Sequence, residues 1–239
     1  EQEYKLGDYL LCPSEFVVRT FLEQGFEPEA LVRHMYGYDE TIYYPAAGER
    51  EHDPKAGLKA LFVGVCAVRK GLHFALEAWL RSPASENGTF IIAGEFIPAY
   101  EEKLKDMLDH PSVQVLGHSE DVPNLMRTSD VLILPSIEEG SALVCSEAIA
   151  SGCVPLVSNA CTEACKHEQD SFVHDVGDVD ALTQHLTLLH SDRERLAAMR
   201  AACLEAAPGL TWTMAGRRLL GAYEQVAEAG PRSAARVHA

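Results

Sequence analysis

Positive charge is scarce in this 239-residue chain. Twenty Lys and Arg residues stand against 36 Asp and Glu, for a net charge of −16. Binding a phosphate backbone needs clustered cations, so this balance argues against a nucleic-acid polymer as partner. Long apolar runs are missing too: stretches such as Val131 to Leu134 fall far short of the ~20 residues of a membrane-spanning helix. No basic-then-apolar leader is visible, and a cytoplasmic location is expected. No Gly-x-Gly-x-x-Gly follows a strand and no Gly-x4-Gly-Lys-Ser/Thr occurs, which weakens dinucleotide and P-loop readings. A Gly-x-Ser-x-Gly elbow is absent as well. The seven cysteines (12, 66, 145, 153, 161, 165 and 203) are odd in number and scattered through apolar stretches, as expected of buried, reduced thiols. Cys161-x3-Cys165-x-His167 lacks the second ligand pair that tetrahedral zinc needs, so no metal site and no cofactor are expected.

What is present is strand-helix alternation. Apolar runs at Leu58 to Val65, Thr89 to Ala93, Val113 to Leu116, Val131 to Pro135, Val154 to Ser158 and Phe172 to Val176 are continuous, as in strands buried on both faces. Between them, Leu72 to Arg81 carries Leu72, Ala75, Leu76 and Trp79 on one helical face, and Tyr100 to Asp109, Ala142 to Ala150 and Asp180 to Leu189 behave alike. Ser191-Asp-Arg-Glu194 reads as a capping box opening a helix to about Ala206, and a last helix spans Met214 to Glu228. This order predicts an α/β fold with a Rossmann-like, doubly wound parallel sheet.

The start differs. Tyr9 to Ser14 reads as a strand feeding a helix from Glu15 to Gln24, closed by Gly25; Leu31 to Tyr36 is another strand, and Pro45 to Gly57 a charged linker. One such unit cannot bury its own faces. With no initiator Met before Glu1, the chain is expected to be a fragment whose upstream part supplies a further domain. The expected division is residues 1–45 as the end of that domain and its linker, 46–210 as the sheet domain, 211–228 as a crossing helix and 229–239 as a flexible tail.

Chemistry concentrates in Pro135-Ser-Ile-Glu-Glu139-Gly140-Ser141-Ala142-Leu143-Val144-Cys-Ser-Glu147. A strand ends, a tight loop carries Glu139 and Gly140, and a helix begins near Ala142. Free amides and the positive dipole end of that helix suit a pyrophosphate. Glu147 falls roughly 8 Å along the axis at ~1.5 Å per residue. A nucleotide-sugar across the helix start would place sugar hydroxyls near Glu139 and ribose hydroxyls near Glu147. The plain alternative is a solvated loop carboxylate and an exposed helix Glu. At the carboxyl end of the first long strand, Gly64, Arg69, Lys70 and Gly71 stand where doubly wound folds bind ligands, and the two cations could neutralise a diphosphate; the alternative is a basic turn before a helix. His118, just after Gly117, is the one histidine placed where a site would be.

Together these stretches resemble the retaining glycosyltransferases of family 4, whose GT-B architecture pairs two facing Rossmann-like domains. The resemblance runs from Tyr9 to Glu228. Cys12-Pro-Ser14-Glu15-Phe16 and Gly37-Tyr-Asp39 are similar to the end of the family's N-terminal domain and its linker, Phe62 to Gly71 to its first C-domain strand and phosphate turn, and Ser129 through Pro155 to its Glu-x7-Glu region. The chain would then be the C-terminal, donor-binding half. The resemblance implies sugar transfer from a nucleotide-sugar donor, UDP- or GDP-linked, to an acceptor hydroxyl on a saccharide or lipid-linked glycan, with retention and without a metal. Glu139 would touch the sugar and Glu147 the ribose. The amides of Gly140, Ser141, Ala142, Leu143 and Val144, with Gly64, Gly117 and His118, would line the donor site, and Arg69 and Lys70 would stabilise the departing diphosphate. Peripheral membrane association through the N-terminal domain is a further expectation. Three departures stand out: Val65 where many members have Arg, Gly140-Ser141-Ala142 for Gly-Phe-Gly, and Asn159-Ala-Cys-Thr-Glu163 for Gly-Gly. A non-catalytic module on this fold, or a nucleotide-sugar epimerase or hydrolase, are the alternatives.

Overall fold

The computed structural model describes residues 3–47 and 56–230; most of the expected linker and the tail beyond Gly230 lie outside them. A small unit comes first. Strand β1 (Leu10–Cys12) runs into helix α1 (Glu15–Glu23) and returns as β2 (Leu31–Arg33), parallel to β1. Ser14 explains why α1 starts where it does: its hydroxyl accepts the Val17 amide at 3.1 Å, a side-chain N-cap. Both strands are shorter than their apolar runs suggest, because pairing ends at Cys12↔Arg33.

The main domain is a six-stranded sheet. Its strands are β3 (Lys59–Val63), β4 (Thr89–Ala93), β5 (Val113–Gly117), β6 (Val131–Leu134), β7 (Val154–Ser158) and β8 (Phe172–His174). All pairs are parallel, in the order β5-β4-β3-β6-β7-β8. Strand order therefore reverses between β3 and β6, the crevice where doubly wound sheets hold ligands. The helices are α2 (Leu72–Arg81), α3 (Ala84–Asn87), α4 (Pro98–Leu108), α5 (Val122–Thr128), α6 (Leu143–Ala150), α7 (Val179–Ser191), α8 (Arg193–Ala206) and α9 (Trp212–Ala229). Ala60, Phe62, Phe90 and Ile133 pack into one apolar layer with Trp79, and Leu61, Ile91 and Leu132 into another with Met126 and Ala148. Successive strand residues thus face opposite covered sides. Each fully buried Leu or Phe contributes about 1.5–3 kcal/mol.

Two expectations need correction. Strand β5 is not buried on both faces: it is the sheet edge, and Val115 and Leu116 are exposed. An apolar run cannot announce whether its strand ends up central or at an edge. The capping box at Ser191 is displaced by one residue. Asp192 caps α8, accepting the Arg195 amide at 2.8 Å, while the Ser191 hydroxyl bonds back to the Thr187 carbonyl inside α7. Helices α3 and α5 are too short for a periodic signal.

The first unit is fastened to the main domain by polar contacts. Glu163 pairs with Arg33 and accepts the Glu15 amide at 2.8 Å. Tyr38 donates its amide to the Leu210 carbonyl and accepts the Trp212 amide, both at 3.0 Å. Helix α9, capped by Thr211, then runs back across the unit, where Tyr9 reaches the Gly230 carbonyl. The unit leaves Leu6, Leu11, Phe16 and Leu22 exposed.

Candidate active site at the switch point

The chain brings the turn after β3 against the loop after β6. Residues Val68–Lys70 form one 3-10 turn ending at Gly71. Gly71 has φ +69°, and a Cβ there would run into the Pro135 carbonyl, so only glycine allows this approach. The Ile137 amide donates to the Arg69 carbonyl at 2.8 Å. Those backbone contacts carry the basic side chains to Glu139.

Glu139 is only 6% exposed. Its Oε1 pairs with Lys70 Nζ and accepts the Ser136 hydroxyl at 2.9 Å; Oε2 lies 3.5 Å from Arg69 Nη1. Arg69 also donates to the Glu138 carbonyl at 2.8 Å and keeps its guanidinium half in solvent. The solvated-carboxylate alternative is thereby excluded: a buried carboxylate with three partners is a built feature. Ser136 is fixed in turn, since its carbonyl accepts the Ser158 hydroxyl at 2.6 Å. Beneath Glu139 the thiols stay neutral. Cys145 is pushed up by a hydrogen bond to Cys165 and by burial, and burial pushes Cys161 up to about 11.

Helix α6 begins at Leu143, so Glu147 stands about one turn inside it, ~6 Å along the axis. Ala142 occupies the N-cap position, and no side chain caps the helix. The Leu143 amide donates to the Ser141 carbonyl at 3.1 Å and the Cys145 amide to the Ala142 carbonyl at 3.0 Å, while the positive end of the helix faces the crevice without a side-chain cap. At Gly140 no protein atom lies within 4 Å of where a Cβ would sit, so internal packing does not demand glycine there. Glu147 is half-buried rather than an exposed helix residue. Burial raises its carboxyl above the usual range, and a hydrogen bond from Tyr43 opposes that rise.

Not every expected residue joins this group. Gly64, with φ +137°, ends β3 beside the Lys70 stem and so belongs to it. Gly117 and His118 lie at the end of β5, two strands from β3, roughly 10 Å away at ~4.8 Å per strand; His118 is exposed there. Ser136 and Tyr43 went unassigned in the sequence. Ser136 stands three residues before Glu139, a spacing that a turn closes; Tyr43 is brought in by tertiary folding alone. In the Cys161–His167 segment, His167 Nδ1 accepts the Val173 amide at 2.9 Å. Among the described residues, no group of three His, Cys, Asp or Glu is arranged to hold a metal, and no helix is long and apolar enough to cross a membrane.

A parallel Rossmann-like sheet with a basic turn and an uncapped helix start at its switch point defines a domain of the GT-B glycosyltransferase class. The chain belongs to the family glycosyl transferases group 1, whose model matches residues 57–192. Among characterised enzymes, UDP-Gal:alpha-D-GlcNAc-diphosphoundecaprenol alpha-1,3-galactosyltransferase of Escherichia coli is 36% identical over 81 residues, 33% of this chain and 21% of that enzyme. Anabaena Alr3699/HepE, solved in complex with UDP, superposes with a TM-score of 0.81 at 17% identity, over 92% of this chain and 64% of that one. The C-terminal domain of the group 1 protein LpcC from Francisella tularensis superposes with a TM-score of 0.62 at 22% identity, over 72% of this chain and 97% of that domain. The chain thus spans less than two thirds of HepE and only a fifth of the E. coli enzyme.

Proposed function

We propose that this chain is the donor-binding half of a retaining family 4 glycosyltransferase, acting on a nucleotide-sugar. The carrying observation is the convergence of Lys70, Arg69 and Glu139 beside the uncapped start of α6, at the point where strand order reverses. In this reading residues 46–210 form the donor domain, and residues 1–45 with α9 belong to the junction with a partner domain that supplies the acceptor site. The diphosphate lies over the amides of Gly140 to Val144, and Lys70 and Arg69 turn from Glu139 toward it. Glu139 then contacts the sugar and Glu147 the ribose.

In the transfer, the acceptor oxygen forms its bond to the anomeric carbon on the face from which the diphosphate departs. The bond from anomeric carbon to phosphate oxygen breaks, and the acceptor proton passes to the departing oxygen. Negative charge grows on the diphosphate, and two cations with oriented amides stabilise it more than they do the ground state. Those fixed positive groups fill the role of a divalent ion, so the reading is metal-independent. A saccharide or lipid-linked acceptor, a cytoplasmic setting and peripheral membrane association complete it. HepE was also solved with UDP-glucose, and the E. coli enzyme is named for UDP-Gal; both favour UDP-sugars as the first donors to try. Calorimetry against UDP- and GDP-sugars is the test. Sub-millimolar binding lost in Glu147→Ala supports the proposal; no binding at millimolar donor, with the variant indistinguishable from the parent, would sink it.

A further inference from the structure

Two serines sit behind the Glu139 loop with no exposed surface: Ser136, two residues past β6, and Ser158, the last residue of β7. The Ser158 hydroxyl donates to the Ser136 carbonyl at 2.6 Å. From the other side the basic turn closes on the same stretch. A Cβ at Gly71 would strike the Pro135 carbonyl, and the Ile137 amide donates to the Arg69 carbonyl at 2.8 Å. Ser136 is therefore held from β7 and from the turn after β3 at once. Its hydroxyl donates to Glu139 Oε1 at 2.9 Å.

The two oxygens of Glu139 are not equivalent. Oε1 takes both Lys70 Nζ and the Ser136 hydroxyl, whereas Oε2 lies 3.5 Å from Arg69 Nη1, longer than a firm hydrogen bond. Lys70 and Arg69 reach Glu139 on long, rotatable stems, and a diphosphate competes for both cations. Ser136 has no such freedom, being a one-carbon side chain on a pinned backbone. Once the cations turn to the diphosphate, Ser136 still holds Oε1, and Oε2 is open to accept a hydroxyl. We propose that Ser136 is a positioning residue for the sugar subsite: it anchors Glu139 Oε1 so that Oε2 faces a hydroxyl of the donor sugar, with Ser158 bracing it from behind. The inference rests on the donor-site reading and adds to it the pair that holds the sugar-contacting carboxylate after its counter-ions have moved.

The experiment is calorimetry of the chain and its Ser136→Ala variant with UDP, UDP-glucose and UDP-galactose, beside crystal structures of both proteins with UDP. Alanine removes one atom, so the fold survives, which a cooperative melt verifies. Ser158→Ala, which loosens the brace but keeps the Ser136 hydroxyl, takes its place if it does not. The expected result for Ser136→Ala is UDP-sugar binding weakened about five- to tenfold and UDP binding changed less than twofold; Ser158→Ala should show the same split at about two- to threefold. In the crystals, Glu139 Oε1 should stay on the Ser136 hydroxyl in the parent and swing away in Ser136→Ala. A merely structural serine would lower the melting temperature without separating UDP from its sugars. If UDP and UDP-sugars weaken equally, or neither changes, the positioning role is overturned while the donor site stands. If the parent binds neither UDP nor a UDP-sugar, the donor reading falls and this role with it. A Glu139 side chain unmoved in Ser136→Ala, or one that has left Ser136 in the UDP-bound parent, overturns the role in either case.

Discussion

Glu139 and Glu147 lie eight residues apart on one loop and helix, and the fold gives them opposite surroundings. Glu139 is sunk between Lys70, Arg69 and Ser136, so its charge is matched where it sits. Glu147 is half-buried on α6, and burial lifts its carboxyl while Tyr43 opposes the rise; burial, with the Glu147 charge beside it, pushes the Tyr43 hydroxyl up to about 12. One carboxylate is stored with its counter-ions, and the other is held with less charge compensation than it needs. A ligand that brings hydroxyl donors to Glu147 and phosphates to Lys70 would supply what each lacks. The difference between the two ends fits the proposed nucleotide-sugar site better than a purely structural role for both carboxylates.

Substitutions should therefore act differently at the two ends. The largest effect belongs to Lys70. In transfer assays of the complete enzyme, Lys70→Ala should lower kcat about 10²–10³-fold, the usual loss when one charge-stabilising donor is removed; a loss below tenfold would place the diphosphate elsewhere. Glu139→Gln comes next. It leaves the Lys70 ammonium without its counter-charge, and denaturant unfolding should show a loss of about 2–3 kcal/mol, below the range for wholly buried pairs because Lys70 keeps some solvent. Adding Lys70→Met should restore part of that loss, as removing both partners relieves the desolvated charge.

The sign reverses at the other end. A carboxyl raised in the folded state favours folding only while it stays protonated, and that contribution is lost as pH rises through its folded value. Glu147→Gln removes the penalty of ionisation. At pH 7 the variant should melt higher by about 2–4 °C, and the gap should close as pH falls below the ordinary glutamate range. A variant less stable at pH 7 would refute the burial argument. Arg69→Gln should be the mildest. Its guanidinium is 53% exposed, so stability should change by about 0.5 kcal/mol or less, while donor affinity falls measurably in low salt.

Much of this arrangement is legible in sequence because it is local. The apolar runs of β3, β4, β6 and β7 sit within a residue or two of where the chain pairs them, and α2 matches its apolar face from Leu72 to Arg81. The basic turn and the Glu139 loop could be placed at one crevice because strand ends converge there in any doubly wound sheet. What escaped is long-range or depends on sheet order. Neither the edge position of β5 nor the distance of His118 from the crevice follows from a run of apolar residues. The segment carrying Tyr43 is held by the pairing of Tyr38 with Leu210 and Trp212 and by Arg127 on the Ile42 carbonyl, contacts with no spacing signature. Asp130, part of the recognised motif, turns out to anchor the far end of the sheet: it accepts the Lys59 amide at 2.9 Å and pairs with Arg200 at 3.0 Å.

The most direct test is a crystal structure of this chain grown with UDP. The account predicts the diphosphate over the amides of Gly140 to Val144 within reach of Lys70, and the ribose diol on Glu147. A nucleotide found instead in the groove of about 830 Å³ between β2 and α9, lined by Tyr9, Arg33 and Arg218, with the switch-point crevice empty and Lys70 still on Glu139, would contradict it.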